Sequence, residues 1–282
     1  EERSYPYGNT FAHVVGYDTN GKSGLESEAN FQLLSSHEFF LNQIRNEFMG
    51  TKNTGDSVVS TLSADLQTTA YNSLGDRRGA VVALEPSTGK ILAMVSKPDF
   101  DPNTISENWD SLVNDETNSS LLNRATMGQY PPGSTFKVVT ALDYFRTHGS
   151  FNGFSFDCQG SITKEGHTIQ CYNGNVHGTE DFYTAFANSC NGAFAEIGMQ
   201  INSEKFRALA NQMLFNSELP YTLPYNQSTF SLDGSSDDWE KLQTAIGQGK
   251  TQITPLHNLM IVSAIANGGT LMKPYMIDHV EN

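Results

Sequence analysis

The residues whose types and spacing can do chemistry lie in Pro131-Pro132-Gly133-Ser134-Thr135-Phe136-Lys137. Ser134 and Lys137 are three positions apart, so a helix puts both on one face about one turn apart. The stretch from Ser134 to Phe145 carries little charge and is apolar nearly all round, as a deeply buried helix is. A lysine there is costly to bury charged, and desolvation favours its neutral form. A neutral amine beside a hydroxyl is what serine needs to act as a nucleophile without histidine. A serine in the first helical turn also has its backbone N–H among the unpaired donors of the helix start, where an oxyanion could bind. The tetrad alone also fits a capping serine and a lysine reaching for the surface; the Pro-Pro-Gly lead-in and the apolar helix favour chemistry.

A second element, Ala187-Asn188-Ser189-Cys190-Asn191, interrupts a helical apolar pattern 55 positions after Ser134. A hydroxyl and a carboxamide two apart on a tight connection can point into one cleft, the first to pass a proton and the second to grip a peptide bond. The plainer reading is a surface turn, which Ser and Asn both favour.

These elements need a scaffold. Ser63 can cap a helix bearing Leu66, Ala70 and Leu74, stopped by Gly75. Residues 79–84 and 91–95 flank the turn Pro86-Ser87-Thr88-Gly89 and read as a hairpin, apolar on both faces and hence covered by helices. Residues 97–123 read as polar loop. Thr179 is expected to cap a helix with Phe182 and Phe186 on one face, and another helix begins near Ser203. Thr254 caps a last helix with Pro255 at its first position, and Asn267-Gly268-Gly269 stops it. Residues 1 to about 55 read as an extended lead-in, a short helical piece around Phe39, Phe40, Ile44 and Phe48, and a linker from Gly50 to Asp56. The pattern is α+β with a buried helical core.

Composition narrows the classes. Apolar residues make up 38% and charged residues 17%, which fits a globular chain. With 17 basic and 31 acidic residues the net charge is −14, which repels phosphate backbones and anionic lipid surfaces, so no nucleic-acid partner is expected. No apolar run nears the ~18 residues of a membrane span. The first residues lack both an apolar stretch and an initiator methionine, so the chain is expected to be a fragment, mature or cut, of a longer parent. Gly249-Lys250-Thr251 looks like the end of a phosphate-binding loop, but position 244 is Thr244 where that loop needs glycine, which excludes an ATPase. The seven histidines show no ligand spacing, and His13 in its apolar stretch reads as packed. Neither cofactor nor metal is expected, since the cysteine spacing does not suggest zinc. Cys158 and Cys171, 13 positions apart, could close a small disulfide loop in an oxidising compartment or stay reduced; the sequence leaves both open.

Together, Ser134-x-x-Lys137 and Ser189-x-Asn191 match the first two of three motifs of penicillin-binding proteins and class A β-lactamases. The resemblance extends over most of the chain and is carried by motif order and spacing. Residues 3–8 with 12–17 look like the start of a class B, monofunctional member at the end of its pedestal. Residues 61–67 and 79–96 look like the opening of the transpeptidase domain. Residues 245–249, 253–256 and 264–269 look like the segment before the third motif. The resemblance implies a penicillin-binding/serine β-lactamase-like fold, an antiparallel sheet with a helical subdomain. It implies that 1–55 ends the pedestal and linker, and that 56–282 is the transpeptidase domain. Ser134 would attack the D-Ala-D-Ala carbonyl of a peptidoglycan stem peptide, Lys137 accept its proton, Ser189 relay a proton to the leaving group and Asn191 hold the substrate amide. A second stem's amine would then resolve the acyl-enzyme, and β-lactams would acylate the same serine. It further implies division or elongation proteins as partners and the extracytoplasmic face of the bacterial membrane as location.

The match has two departures. Cys190 replaces the commoner middle residue of the second motif. No Lys-Thr-Gly follows Asn191, and Lys250-Thr251-Gln252 falls inside the segment that precedes that motif, so the domain is expected to be incomplete at its C-terminus. Two rivals share the first motif or the fold. A serine β-lactamase or β-lactam sensor would differ in deacylation speed, and the N-terminal Arg-x-Tyr-Pro and the length argue for a transpeptidase. A non-catalytic cell-wall scaffold would not need the intact four residues.

Overall fold

The computed structural model describes residues 3–37, 40–51 and 55–281. In chain order its elements are α1 (Ala12–Val15), α2 (Gly24–Glu28), α3 (Asn30–Leu34), α4 (Phe40–Met49), β1 (Ser57–Ser60), α5 (Ala64–Leu74), β2 (Gly79–Leu84), β3 (Ile91–Lys97), α6 (Ile105–Val113) and α7 (Lys137–His148). There follow β4 (Ser155–Cys158), β5 (Ser161–Lys164), β6 (His167–Gln170), β7 (Gly178–Asp181), α8 (Phe182–Ala187), α9 (Asn191–Gln200), α10 (Ser203–Gln212), α11 (Asp238–Ala245), α12 (Pro255–Ala266) and β8 (Ile277–Glu281). The chain forms two units. One comprises Glu1–Gly128, Pro220–Asn226 and Thr254–Asn282; the other comprises Gln129–Leu219 and Gln227–Ile253.

In the first unit, β2 and β3 form the expected antiparallel hairpin, with Val82 opposite Met94. Helices cover it as its apolar faces require: α5 packs on β3 and α12 on β2. Ser63 accepts from Leu66 N at 3.3 Å and caps α5. Gln67, 1% exposed, donates from Nε2 to Met94 O at 2.9 Å and accepts from Met94 N at 2.8 Å, so it pairs with the strand as another strand would. Thr254 caps α12 by accepting from His257 N at 3.2 Å, with Pro255 in the first turn. β1 pairs antiparallel with β8, Val58 opposite Val280. His13 is packed as expected, edge-on to Phe100 at 5.2 Å and 2.8 Å from Ser120 O. Burial lowers its pKa to about 4, so the ring is neutral.

Two sequence expectations fail in this unit. Residues 3–37 hold a 3-10 turn (Gly8–Phe11) and α1, α2 and α3 rather than extended chain. Contacts distant in sequence hold them: Arg3 pairs with Glu26 at 3.0 Å, and Tyr5 N donates to Asn103 Oδ1 at 2.9 Å. The supposed loop 97–123 contains α6, whose Ile105, Trp109 and Leu112 repeat at helical spacing and pack with Phe100 and Tyr17. Phe39, and residues 52–54 of the expected linker, lie outside the described residues.

The second unit is mostly helical and holds the candidate site. α7 runs among α9 and α10, and α11 lies along α9. Phe136 stacks with Phe230 and meets Phe206 and Phe215, all at ring separations of 5.7–6.0 Å. Two small antiparallel pairs, β4 with β7 and β5 with β6, lie beside α9. The cap of α8 is Asp181, which accepts from Thr184 N at 2.8 Å. Thr179 instead lies in β7 opposite Asp157, because the strand pairing takes its backbone.

Candidate active site

Ser134 enters α7 through a single turn of 3-10 helix, Gly133–Phe136, rather than in the α-helix itself. The chain reaches that turn through Gly133, whose φ is +58°. Gly133 N donates to Gly247 O at 2.7 Å. Gly247 has φ +74°, and a Cβ there would lie 1.9 Å from Gly133 O, so only glycine allows this approach. Thr140 Oγ1 ties the next turn of α7 to Ala245 O at 2.9 Å. Backbone and core contacts from 244–249 thus fix where Ser134 stands.

Lys137, one turn on, is 2% exposed. Its Nζ is 3.4 Å from Ser134 Oγ, 3.0 Å from Ser189 Oγ, 2.7 Å from Ser189 O and 2.7 Å from Asn191 Oδ1. Ser189 Oγ lies 2.9 Å from Ser134 Oγ, which closes the network. Burial pushes the Lys137 amine down to about 8. The two shortest contacts are to a carbonyl and a carboxamide oxygen, which can only accept. A neutral amine has two protons, and these two acceptors take both. Its lone pair is then left for the hydroxyls, either Ser134 directly or Ser189 between them.

The second motif is a turn between helices, as its broken apolar pattern implies. α8 ends at Ala187, and Ser189 has φ +53°, a left-handed conformation uncommon outside glycine. Ser189 N donates to Phe186 O at 3.0 Å and Cys190 N to Ala185 O at 2.9 Å. Cys190 caps α9, its sulfur accepting from Ala193 N at 3.4 Å. Asn191 opens α9, and its Nδ2 donates to Gln170 O at 2.9 Å. Its carboxamide is engaged on both sides, with one lone pair and one N–H left for a ligand.

The structure therefore brings Ser134, Lys137, Ser189 and Asn191 together in one unit. Lys250 lies elsewhere, paired with Glu240. The sequence did not point to Gly247 or to the Gln170 carbonyl. Backbone partners leave no residue-type signal, although two glycines around Gln248 hint at a turn of restricted shape. Nor did it show that Cys158, Cys171, His177 and Cys190 converge. Cys158 and Cys171 are not bonded, their sulfurs being 3.7 Å apart.

Penicillin-binding transpeptidases are the class of protein that this fold and site define. The family described as penicillin binding protein transpeptidase domain matches residues 79–282, and that described as penicillin binding protein A dimerisation domain matches residues 2–58. The chain belongs to the penicillin-binding protein transpeptidase family. It is 34% identical to the peptidoglycan D,D-transpeptidase PbpA of Mycolicibacterium smegmatis, over 99% of this chain and 60% of that protein. It superposes on penicillin-binding protein A of Mycobacterium tuberculosis, solved as a ceftriaxone acyl-enzyme, with TM-score 0.87 and 31% identity, covering 99% of this chain and 66% of that one. A D,D-transpeptidase domain from Eggerthella lenta gives TM-score 0.86 at 29% identity, covering 99% and 67%. The expected α+β, penicillin-binding fold is thus the observed one. The chain spans about 60% of the length of the curated PbpA relatives.

Proposed function

We propose that the protein is a peptidoglycan D,D-transpeptidase acting through a Ser134 acyl-enzyme, and a target of β-lactams. The observation that carries this reading is the Lys137 amine, buried and held by two obligate acceptors with its remaining valence toward Ser134 and Ser189. Ser134 Oγ attacks the carbonyl carbon of the penultimate D-alanine while Lys137 Nζ takes its proton. The oxyanion is met by the Ser134 N–H at the start of the helix. The C–N bond breaks, and the terminal D-alanine leaves with a proton passed from Lys137 through Ser189. The amine of a second stem peptide attacks the ester, Ser134 recovers its proton, and a crosslink results. A β-lactam follows the first half of this path, its ring amide opening as the ester forms. Asn191 holds the substrate amide with its remaining carboxamide valences.

The solved structures of M. tuberculosis penicillin-binding protein A, acyl-enzymes with ceftriaxone, penicillin G and imipenem, support the β-lactam part. A peptidoglycan substrate supports a location at the extracytoplasmic face of the membrane, with division or elongation proteins as partners. Among the described residues no helix is long and apolar enough to cross a membrane. Residues 1–55 are read as the end of the pedestal and 56–282 as transpeptidase domain.

Fluorescent penicillin on the full-length protein, followed by peptide mass mapping, tests the assignment. A stable label on Ser134, absent from Ser134→Ala, is expected. A label elsewhere, or one that survives the substitution, would sink it. Rapid loss of the label with turnover of penicillin would favour a β-lactamase.

A further inference from the structure

Three thiols and an imidazole that the proposed chemistry does not use meet next to the Ser189 turn. Cys158 ends β4, Cys171 follows β6, His177 precedes β7, and Cys190 caps α9. Cys158 Sγ is 3.7 Å from Cys171 Sγ and 3.4 Å from His177 Nδ1, and Cys171 Sγ is 3.8 Å from Cys190 Sγ. All four atoms lie within 4.8 Å of one another. Cys158 and Cys190 are fully buried and Cys171 is 3% exposed, while the His177 side chain reaches the edge at 17%.

Tetrahedral zinc, with Zn–S about 2.3 Å and Zn–N about 2.0 Å, sets sulfurs about 3.8 Å apart and sulfur and nitrogen about 3.5 Å apart. The three shortest separations fall close to these values. The rest, Cys158 with Cys190 and His177 Nδ1 with Cys171 and Cys190, lie within 4.8 Å, so reaching that tetrahedron needs closure of at most about 1.3 Å, which rotation of the cysteine side chains and of the partly exposed His177 ring supplies. A soft, sulfur-rich tetrahedral set selects zinc over the hard cations.

Three buried cysteines can also be nothing more than small apolar residues. Two further observations weigh against that. Glu180, 2% exposed, accepts from Asn188 Nδ2 at 2.8 Å through Oε1, but its Oε2 has no hydrogen-bond partner and lies 3.8 Å from His177 Nδ1. A buried carboxylate oxygen without a donor is costly, so this side of the turn is not a settled apolar core. In addition, Cys190 Sγ caps the ten-residue α9 by accepting from Ala193 N at 3.4 Å, which fixes its sulfur at the cluster.

We propose that Cys158, Cys171, His177 and Cys190 form a structural zinc site that fastens the β4–β7 strands to the first turn of α9. Four protein ligands leave no open position, so the ion holds structure and does no chemistry. Binding releases the thiol protons, and zinc with three thiolates carries net charge −1. Cys190 lies between Ser189 and Asn191, so the ion pins the turn on which both depend, including the left-handed Ser189.

The test is the metal content of the untagged full-length protein, purified without chelator, by plasma mass spectrometry. About one zinc per chain is expected, and cobalt exchanged into the same protein should show the intense thiolate charge-transfer and tetrahedral d–d bands of a sulfur-rich site. Cys171→Ser should lose the ion. If that variant does not fold, His177→Ala, which alters the edge and leaves the core intact, should still weaken zinc by at least about tenfold in chelator competition. Zinc well below stoichiometric together with no cobalt bands would overturn the proposal. So would a non-reducing intact mass two hydrogens light with one titratable thiol, which means a disulfide. None of these readouts depends on whether penicillin acylates Ser134.

Discussion

The Ser189–Asn191 turn has two sides, and they are built differently. Toward Lys137, every polar atom meets a partner of complementary type at 2.7–3.4 Å. Toward the strands, three sulfurs and a ring nitrogen crowd together, and a buried Glu180 oxygen lacks a donor. The first side is held together by protein atoms alone and, on the proposed function, moves a proton. The second is arranged to hold something fixed. Damage to the first should cost chemistry and spare the fold, whereas damage to the second should reach the chemistry only by loosening the turn.

The largest effect should come from Lys137→Ala. Acylation by penicillin should fall by ~10²–10⁴, the usual contribution of a general base, with circular dichroism unchanged. A stopped-flow rate near wild type in a folded variant would remove Lys137 from its role. The pH profile sharpens the same side. Burial lowers the Lys137 pKa to about 8, so the reactive neutral amine grows as pH rises. The acylation rate should increase about tenfold per unit below that value and level off above it. A profile that falls between about pH 6 and 9 would contradict a neutral amine as base.

On the other side, Cys171→Ala should slow acylation about tenfold, at the low end of what supporting residues around a metal cost, while hydrogen exchange speeds at Ser189–Asn191. Slower acylation with unchanged exchange there would mean that the cysteines act on the chemistry directly. Smallest of all, Asn202→Ala removes the cap of α10, where its side chain accepts from Lys205 N at 3.0 Å. It should cost about 1 kcal/mol in denaturant melts and leave acylation alone.

The sequence made the Lys137 side readable because its residues lie in short segments with strong local patterns. Ser134 and Lys137 sit one turn apart, and Ser189 and Asn191 sit where an apolar helix breaks. The β2–β3 hairpin and the caps Ser63 and Thr254 were legible for the same reason. The four small strands β4–β7 were not, since each is four residues long, polar and set among glycines. The cysteine side depends on those strands. Its ligand candidates are spread over 158–190 at intervals that match no compact metal motif, and only the folding of two hairpins brings them together. The N-terminal helices failed for another reason: each is four or five residues long, too short to show a period, and stands on distant partners.

The close passage of Gly247 over Gly133 limits which variants can arise. A single methyl group at position 247 would sit 1.9 Å from the Gly133 carbonyl oxygen. Relief would require the backbone that carries Ser134 to move. Position 247 therefore cannot drift alone, and a substitution there is no one-step route to reshaping the approach to Ser134. Adaptation would have to come from side chains lining the cleft, leaving this backbone crossing as a fixed landmark for any inhibitor that hydrogen-bonds to it.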